Sequence, residues 1–345
     1  MTTPKHEAPE PPDTLRDRFR DAIAPRTLAL GVGVLLLQFA FILSYIGAFH
    51  SPSPHRIPVI VVAQDGVAEQ VVEQLNAIPG QPLQASASDD TRVALQALRA
   101  GETSGVYVVS AADTHDFGIV ASGGGTSVAT AVEDLFDAAA KQHDRTVSIQ
   151  DAVPLDPGDA RGLSGFYLVI GWAVGGYLFA AMLGVAKGSR PATLPRAVWR
   201  LGATVPYALA SGLGGAVIAE PVLGALSGHF WSVAGIGVLV TLSAATVTIA
   251  LQTLFGVIGI GLTVVIFVIL GNPTAGGAYQ APLLPPFWRA ISGFLPNGAG
   301  TEAVRRIIYF EAHGVAHPII VLTVWIVIGV ALTLAASATR KRARQ

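Results

Sequence analysis

Six stretches of this 345-residue chain carry no Asp, Glu, Lys or Arg and are apolar for about the length that a hydrocarbon layer demands. They are residues 28–49, 163–186, 201–219, 230–251, 254–271 and 318–338. Runs of this kind are continuous rather than striped, so they predict helices whose solvent is lipid. The first, LALGVGVLLLQFAFILSYIGAF, has Gln38 as its most polar member and Tyr45 where an interfacial aromatic would lie. It is too long for the apolar stretch of a cleaved signal peptide, so an uncleaved anchor is expected. Only Gln252 and Thr253 separate the fourth and fifth runs, which predicts a tight hairpin there.

The rest of the composition narrows the function. Charged residues make up 13% of the chain, about half the fraction in an ordinary soluble domain. Net charge is -1 and aromatic content 8%, which gives neither the basic field nor the stacking surface that nucleic acid requires. The chain has no cysteine, which removes disulfides, thiolate metal sites and cysteine nucleophiles together.

Basic residues set the expected orientation. Thirteen of the 22 lie in segments that six spans would put on one side: Lys5, Arg16, Arg18, Arg20, Arg26, then Lys187, Arg190, Arg196, Arg200, then Arg340, Lys341, Arg342, Arg344. The other nine are diluted over residues 50–162 and 272–317. The positive-inside rule therefore predicts both termini in the cytoplasm of a multi-pass plasma-membrane protein. Residues 1–12 are expected to be a disordered tail, and residues 13–27 either an amphipathic helix on the inner surface, with Leu15, Phe19, Ala22 and Ile23 on one face, or a further polar tail. Residues 339–345 form a basic cytoplasmic tail.

This topology puts residues 50–162 outside, as one extracytoplasmic α/β domain. Residues 57–63 (IPVIVVA), 105–109, 117–121 and 146–153 have strand character, and residues 67–77, 89–99 and 127–142 helical spacing. The glycines Gly123, Gly124 and Gly125 read as a strand-to-helix turn or, less simply, an anion cradle. The fold class is thus a polytopic helical membrane protein with six transmembrane helices and an α/β domain between the first two.

Catalytic motifs are missing. No G-x-x-x-x-G-K-[ST] string, no H-E-x-x-H and no G-x-S-x-G occurs, so any ATP hydrolysis would belong to a partner, and no cofactor is implied. Asp113, His115 and Asp116 are close in sequence, and His313 and His317 have i, i+4 spacing. Each cluster is short of the three or four converging ligands that a metal needs, and none is assigned. Glu220, followed by Pro221, is the acid nearest a span, either at the boundary or in a broken segment lining a cavity. Gly171 and Gly175, and Gly224 and Gly228, have the G-x-x-x-G spacing of close helix packing.

Two segments are candidates for function. Residues 187–200 (KGSRPATLPRAVWR) form a short basic internal loop in which Arg190, Arg196, Trp199 and Arg200 stand out. Residues 272–317 are too polar and proline-broken to span, yet carry Phe287, Trp288, Ile291, Phe294 and Leu295 between Pro285, Pro286 and Pro296. They predict an interfacial lid, followed by a helix over residues 301–310 that takes Arg305 and Arg306 towards lipid phosphates or the external domain.

One span, a large external α/β domain and five further spans with a loop after the second resemble the type-2 ABC exporter permease superfamily. The string Gly271-Asn272-Pro273, Gly276-Gly277, Leu284-Pro285, Phe287, Leu295-Pro296 and Arg305 is similar to the signature of its phage infection protein (YhgE/Pip) and nitrosoguanidine-resistance branch. IPVIVVAQD and LRAGETSGVYVV are similar to segments of that branch's external domain, although its longer members' coiled-coil region is missing. The resemblance implies a non-catalytic permease subunit that works as a homodimer with a separate ATPase and exports an amphipathic or lipid-like compound. Residues 187–200 would then be the coupling loop. A membrane-anchored binding or scaffold protein that recognises an envelope component, phage or partner is the alternative.

Overall fold

The computed structural model describes residues 25–64, 66–187 and 193–342, so the expected surface helix and tail before Pro25, together with Arg190 and Arg344, lie outside the described residues. The chain divides into two compact units, residues 1–43 and 44–345. Helix α1 (Pro25–Phe49) begins in the first and ends in the second, and Thr27–Phe49 is long and apolar enough to span.

In the second unit the chain first builds a five-stranded sheet, ordered β2-β1-β3-β4-β5. β1 (Ile57–Val62) pairs in parallel with β2 (Leu83–Ser88) and β3 (Gly105–Val108). β4 (His115–Val120) is antiparallel to β3 and parallel to β5 (Thr146–Asp151). Helices α2 (Val67–Asn76) and α4 (Thr126–Gln142) bury Leu75, Val132 and Phe136 against one face, and α3 (Thr91–Arg99) buries Ala94 and Leu98 against the other. Asp90 caps α3 by accepting from Arg92 N at 2.8 Å, satisfying an amide the helix start leaves open. β2 is the strand the sequence reading missed. LQASAS buries Leu83 and Ala85 on alternate positions, but has no β-branched run to announce it.

Four further helices are long and apolar enough to cross a membrane: Ser164–Ala186, Leu194–Val222, Phe230–Phe255 and Ala316–Thr339. They belong to α5 (Ser164–Lys187), α6 (Leu194–Val217, continued by a π-helical turn Ile218–Val222), α7 (Phe230–Phe255) and α11 (Ala316–Arg342). α7 is the hub, and 78% of its most apolar window is buried by the others. Close approach comes from glycines at each crossing. A Cβ on Gly176 of α5 would lie 2.5 Å from Thr241 O, and one on Gly212 of α6 2.5 Å from Ala234 O. One on Gly329 of α11 would lie 2.7 Å from the backbone of Thr246. The predicted pairs differ: a Cβ on Gly171 would meet nothing, and Gly224 and Gly228 sit in the turn after α6 with positive φ, where an added Cβ would likewise meet nothing. Buried Thr246, Thr248 and Thr253 of α7 donate to carbonyls four residues back, so the hub carries hydroxyls without leaving them orphaned.

Two expectations change. The turn after α7 falls at Gly256 (φ 66), whereas Gln252 and Thr253 are buried inside the helix, because only the glycine meets the turn's left-handed backbone without strain. The fifth run is also not a full-length span. α8 (Ile258–Val264) and a π-helical extension (Val265–Leu270) make a 13-residue apolar helix, below the roughly 20 residues a span needs. The described helices of spanning length and composition number five. α10 (Pro296–Tyr309) packs against α5 and α7. A Cβ on its Gly300 would meet Val240 and Val169, and Val240 lies ten residues into α7, about 15 Å along the helix.

Candidate functional site

Residues 271–310 tie this bundle to the α/β domain, and most of the motif residues meet there. The segment descends from the α8 extension and is pinned by Asn297, whose Nδ2 donates to Phe267 O at 3.0 Å and to Asn272 Oδ1 at 2.9 Å. Gly277 lies flush on the Phe166 ring, where a Cβ would come within 2.9 Å. Ser127 Oγ donates to Ala278 O at 2.9 Å, and Gln280 Oε1 accepts from Val128 N at 3.3 Å, so the segment is bonded to the first turn of α4. Leu283 is buried in the α2/α4 core, and it and Pro282 accept from the α1–β1 link: Ser53 N donates to Leu283 O at 3.2 Å and His55 N to Pro282 O at 3.0 Å.

Beyond this strap, α9 (Pro286–Ser292) is bounded by the expected prolines. Phe287 and Phe294 are 58% and 66% exposed, whereas Leu295 is buried and Trp288 partly so. Trp325 Nε1 of α11 donates to Phe294 O at 2.7 Å. The helix predicted over 301–310 starts earlier, at Pro296, whose fixed φ suits a first helical turn. Its arginines do not reach outwards. Arg305 donates to Glu302 Oε2 at 3.1 Å and Gly276 O at 3.0 Å; Arg306 donates to Glu302 Oε1 at 2.7 Å and His313 O at 2.9 Å. Glu302 is one turn away on the same helix, and i, i+3 and i, i+4 partners are the nearest available.

The far end of α10 is keyed into the sheet domain. Tyr309 Oη donates to Asp159 Oδ2 at 2.9 Å, and burial together with that carboxylate pushes the phenol pKa up. Phe310 is buried among Val62, Ala94, Leu98, Val106 and Ala121. Gly123 and Gly124 give these rings room: a Cβ on Gly123 would sit 2.7 Å from the Tyr309 ring, and one on Gly124 3.3 Å from that of Phe310. The glycine triplet is therefore a docking surface for α10 and for Gln280, rather than an anion cradle. A cavity of about 300 Å³ remains between strap, α10 and sheet, lined among others by Thr103, Thr274, Gly276, Glu302, Arg305 and Arg306.

The other candidates are dispersed. Leu194 already begins α6, so the second half of the predicted basic loop is two helical turns, with Arg196 exposed, Trp199 79% exposed and Arg200 partly buried. Glu220 sits in the π-helical turn, where Oε1 accepts from Gly228 N at 3.0 Å and Oε2 is shielded without a partner among the described residues. The Asp113, His115, Asp116 trio diverges. Asp116 is fully buried and accepts from Tyr107 Oη at 2.7 Å, Ser110 N at 2.8 Å and Arg145 Nη2 at 2.6 Å. His115 faces Thr146 and Ser148 instead. His313 lies in the turn before α11 and His317 within it, so they share no helix face.

No curated protein and no solved structure matches the chain. A family model described as ABC-2 family transporter protein matches residues 26–335, which takes in four of the described spans, most of the fifth and the sheet domain. The chain belongs to the ABC-2 family of transporter proteins, as a non-catalytic membrane-spanning permease component.

Proposed function

We propose that this permease works as a homodimer with a separate ATP-binding subunit and exports an amphipathic or lipid-like compound. Both termini then lie in the cytoplasm and the sheet domain outside, as the distribution of basic residues favours. The observation that carries the reading is the double anchorage of α10. Its Gly300 packs on α5 and α7 in the bundle, and its Tyr309 and Phe310 are held in the sheet domain. A helix fixed at both ends transmits displacement of the bundle to the domain, as an exporter driven from its inner face requires. The internal loop, including Arg190, Arg196, Trp199 and Arg200, is the surface proposed to meet the ATPase, and the exposure of Arg196 and Trp199 supports that use. α9 and the residues that flank it, with Pro285, Phe287, Trp288, Phe294, Pro296 and Arg305, are the proposed lid. Glu220 is the proposed boundary acid. The likeness of the Gly271-to-Arg305 string to the phage infection and nitrosoguanidine-resistance branch is part of the same proposal, and so is a sixth crossing made jointly by α8 and the strap.

Purification of the tagged protein from native membranes in mild detergent tests the reading. We expect a stoichiometric ATP-binding subunit, with ATPase activity that Arg196→Glu with Arg200→Glu abolishes while the protein stays folded. Recovery without such a subunit would move the assignment to a binding or scaffold role.

A further inference from the structure

The cavity under the sheet domain has an unusual charge balance. Its charged lining residues are Arg305, Arg306 and Glu302, which leaves one positive charge in excess. Arg305 is only 11% exposed and Arg306 22%. Uncompensated charge in so sheltered a place is costly, and an anion relieves it. Both guanidiniums are already fixed, because Glu302 grips the pair while Gly276 O and His313 O hold their far sides. Their remaining N–H groups are therefore available without the entropic cost of ordering long side chains.

Shape adds a second constraint. About 300 Å³ is near the lower limit for a ligand pocket, enough for a head group but not for a whole lipid. Elsewhere the lining is largely apolar, with Ala121, Ala275, Pro282 and Phe310. Ser292 and Gly293, at the end of α9, close one side. The same short helix presents exposed Phe287 outwards, and Phe294 follows it. An apolar surface thus adjoins a cationic hole across one helix, the arrangement that suits a molecule with an anionic head and an apolar tail.

We propose that this cavity binds the oxyanion head, phosphate or carboxylate, of an amphipathic molecule, with Arg305 and Arg306 as the recognition pair. The assignment rests on the exporter reading and gives the carried compound a chemical class. Guanidinium pairs suit it because they meet oxyanions through two parallel hydrogen bonds.

The test is equilibrium binding to the full-length protein in uncharged detergent, using dihexanoyl phosphatidic acid, uncharged dihexanoylglycerol and inorganic phosphate as probes. The first should saturate and the second should not. Arg306→Gln should weaken phosphatidic acid binding by roughly tenfold or more, the loss expected for a charge-assisted hydrogen bond. Ala281→Phe, which fills the cavity from the strap and leaves both arginines in place, should do the same; it decides the matter if Arg306→Gln alters the melting temperature. Inorganic phosphate binding as tightly as phosphatidic acid would keep the oxyanion site and assign it to a free anion. No saturable binding of either phosphate probe, or undiminished binding in both variants at unchanged melting temperature, would overturn the proposal. Binding requires no ATPase, so a protein that binds yet recruits no ATP-binding subunit keeps this site and loses the exporter reading; ATP-driven export without binding does the reverse.

Discussion

Tyr309 at the end of α10 and Asp159 just before α5 are joined by a 2.9 Å hydrogen bond, although 150 residues separate them. Asp159 is 3% exposed, and its other oxygen accepts from Ser164 N at 2.9 Å. One carboxylate therefore ties the helix that enters the sheet domain to the one that leaves it for the bundle.

Removing that tie should loosen the domain before it unfolds the bundle. Tyr309→Phe leaves a buried carboxylate short of a donor and should cost about 1–3 kcal/mol. Phe310→Ala removes a ring from the core of the α3 face and should cost about 3–5 kcal/mol. Limited proteolysis should cut between β1 and β5 faster in both variants, with α5 to α7 unchanged. Equal acceleration throughout would mean that the two parts unfold as one.

Gly123 provides a steric test of the same docking. Gly123→Leu places side-chain atoms where the Tyr309 ring now lies, since even a Cβ would be 2.7 Å from it. Hydrogen exchange should rise at the end of α10 and in the 3-10 turn Ser122–Gly124, while the β1–β2 pairing stays protected. Unchanged protection at residues 305–310 would count against docking through this glycine.

Asp116 gives the sheet domain an acid limit. Burial works against its charge, but hydrogen bonds from Arg145, Ser110 and Tyr107 outweigh that and hold its carboxyl below the usual aspartate value. A folded-state pKa below the unfolded one stabilises fully above the unfolded value, about 3.9, and loses that stabilisation as pH falls through the folded one. Asp116→Ala leaves Arg145 without its partner and should cost about 3 kcal/mol at neutral pH. Thermal melts from pH 7 to pH 2 should show a steeper acid loss in the wild type than in the variant. Parallel curves would rule out Asp116 as the titrating group.

The exposed aromatics in and just after α9 bear on transport rather than folding. Phe287→Ser combined with Phe294→Ser removes side chains that are more than half exposed, so the melting temperature should change little. Export, or resistance to an exported toxic amphipath, should fall at unchanged membrane abundance. Full export by the double variant would remove α9 from the pathway.

The legible parts of the molecule were those in which a single local pattern determines the outcome. Uncharged apolar runs marked the five helices of spanning length, although α6 begins seven residues before its run, and the β-branched run at 57–63 marked β1, an inner strand of the sheet. Helical spacing over 89–99 marked α3, whose cap is Asp90. What escaped was set by distant partners. Nothing local distinguishes LQASAS as an edge strand until it pairs with β1. Arg305 and Arg306 were expected to turn towards lipid phosphates or the external domain; they line a cavity against that domain, held by Glu302 one turn back and the carbonyls of Gly276 and His313. The shortness of α8 was hidden because hydropathy shows which residues prefer lipid, not that Gly256 delays the turn and Leu270 ends the helix. The glycine triplet could be read as a turn or an anion cradle but not as a docking surface, since its packing partners Tyr309 and Gln280 lie far along the chain.

The sheet domain's two cores are each closed by a residue from beyond the bundle helices, Leu283 on the α2/α4 side and Phe310 on the α3 side. During synthesis, strands β1 to β5 are complete long before either side chain leaves the ribosome. The domain must therefore wait with both cores open while α5, α6 and α7 are inserted, and it matures only when the strap and α10 arrive. Maturation of the sheet thus reports on insertion of the bundle: a chain whose later helices fail to insert keeps an unfinished sheet domain, a ready substrate for proteolysis.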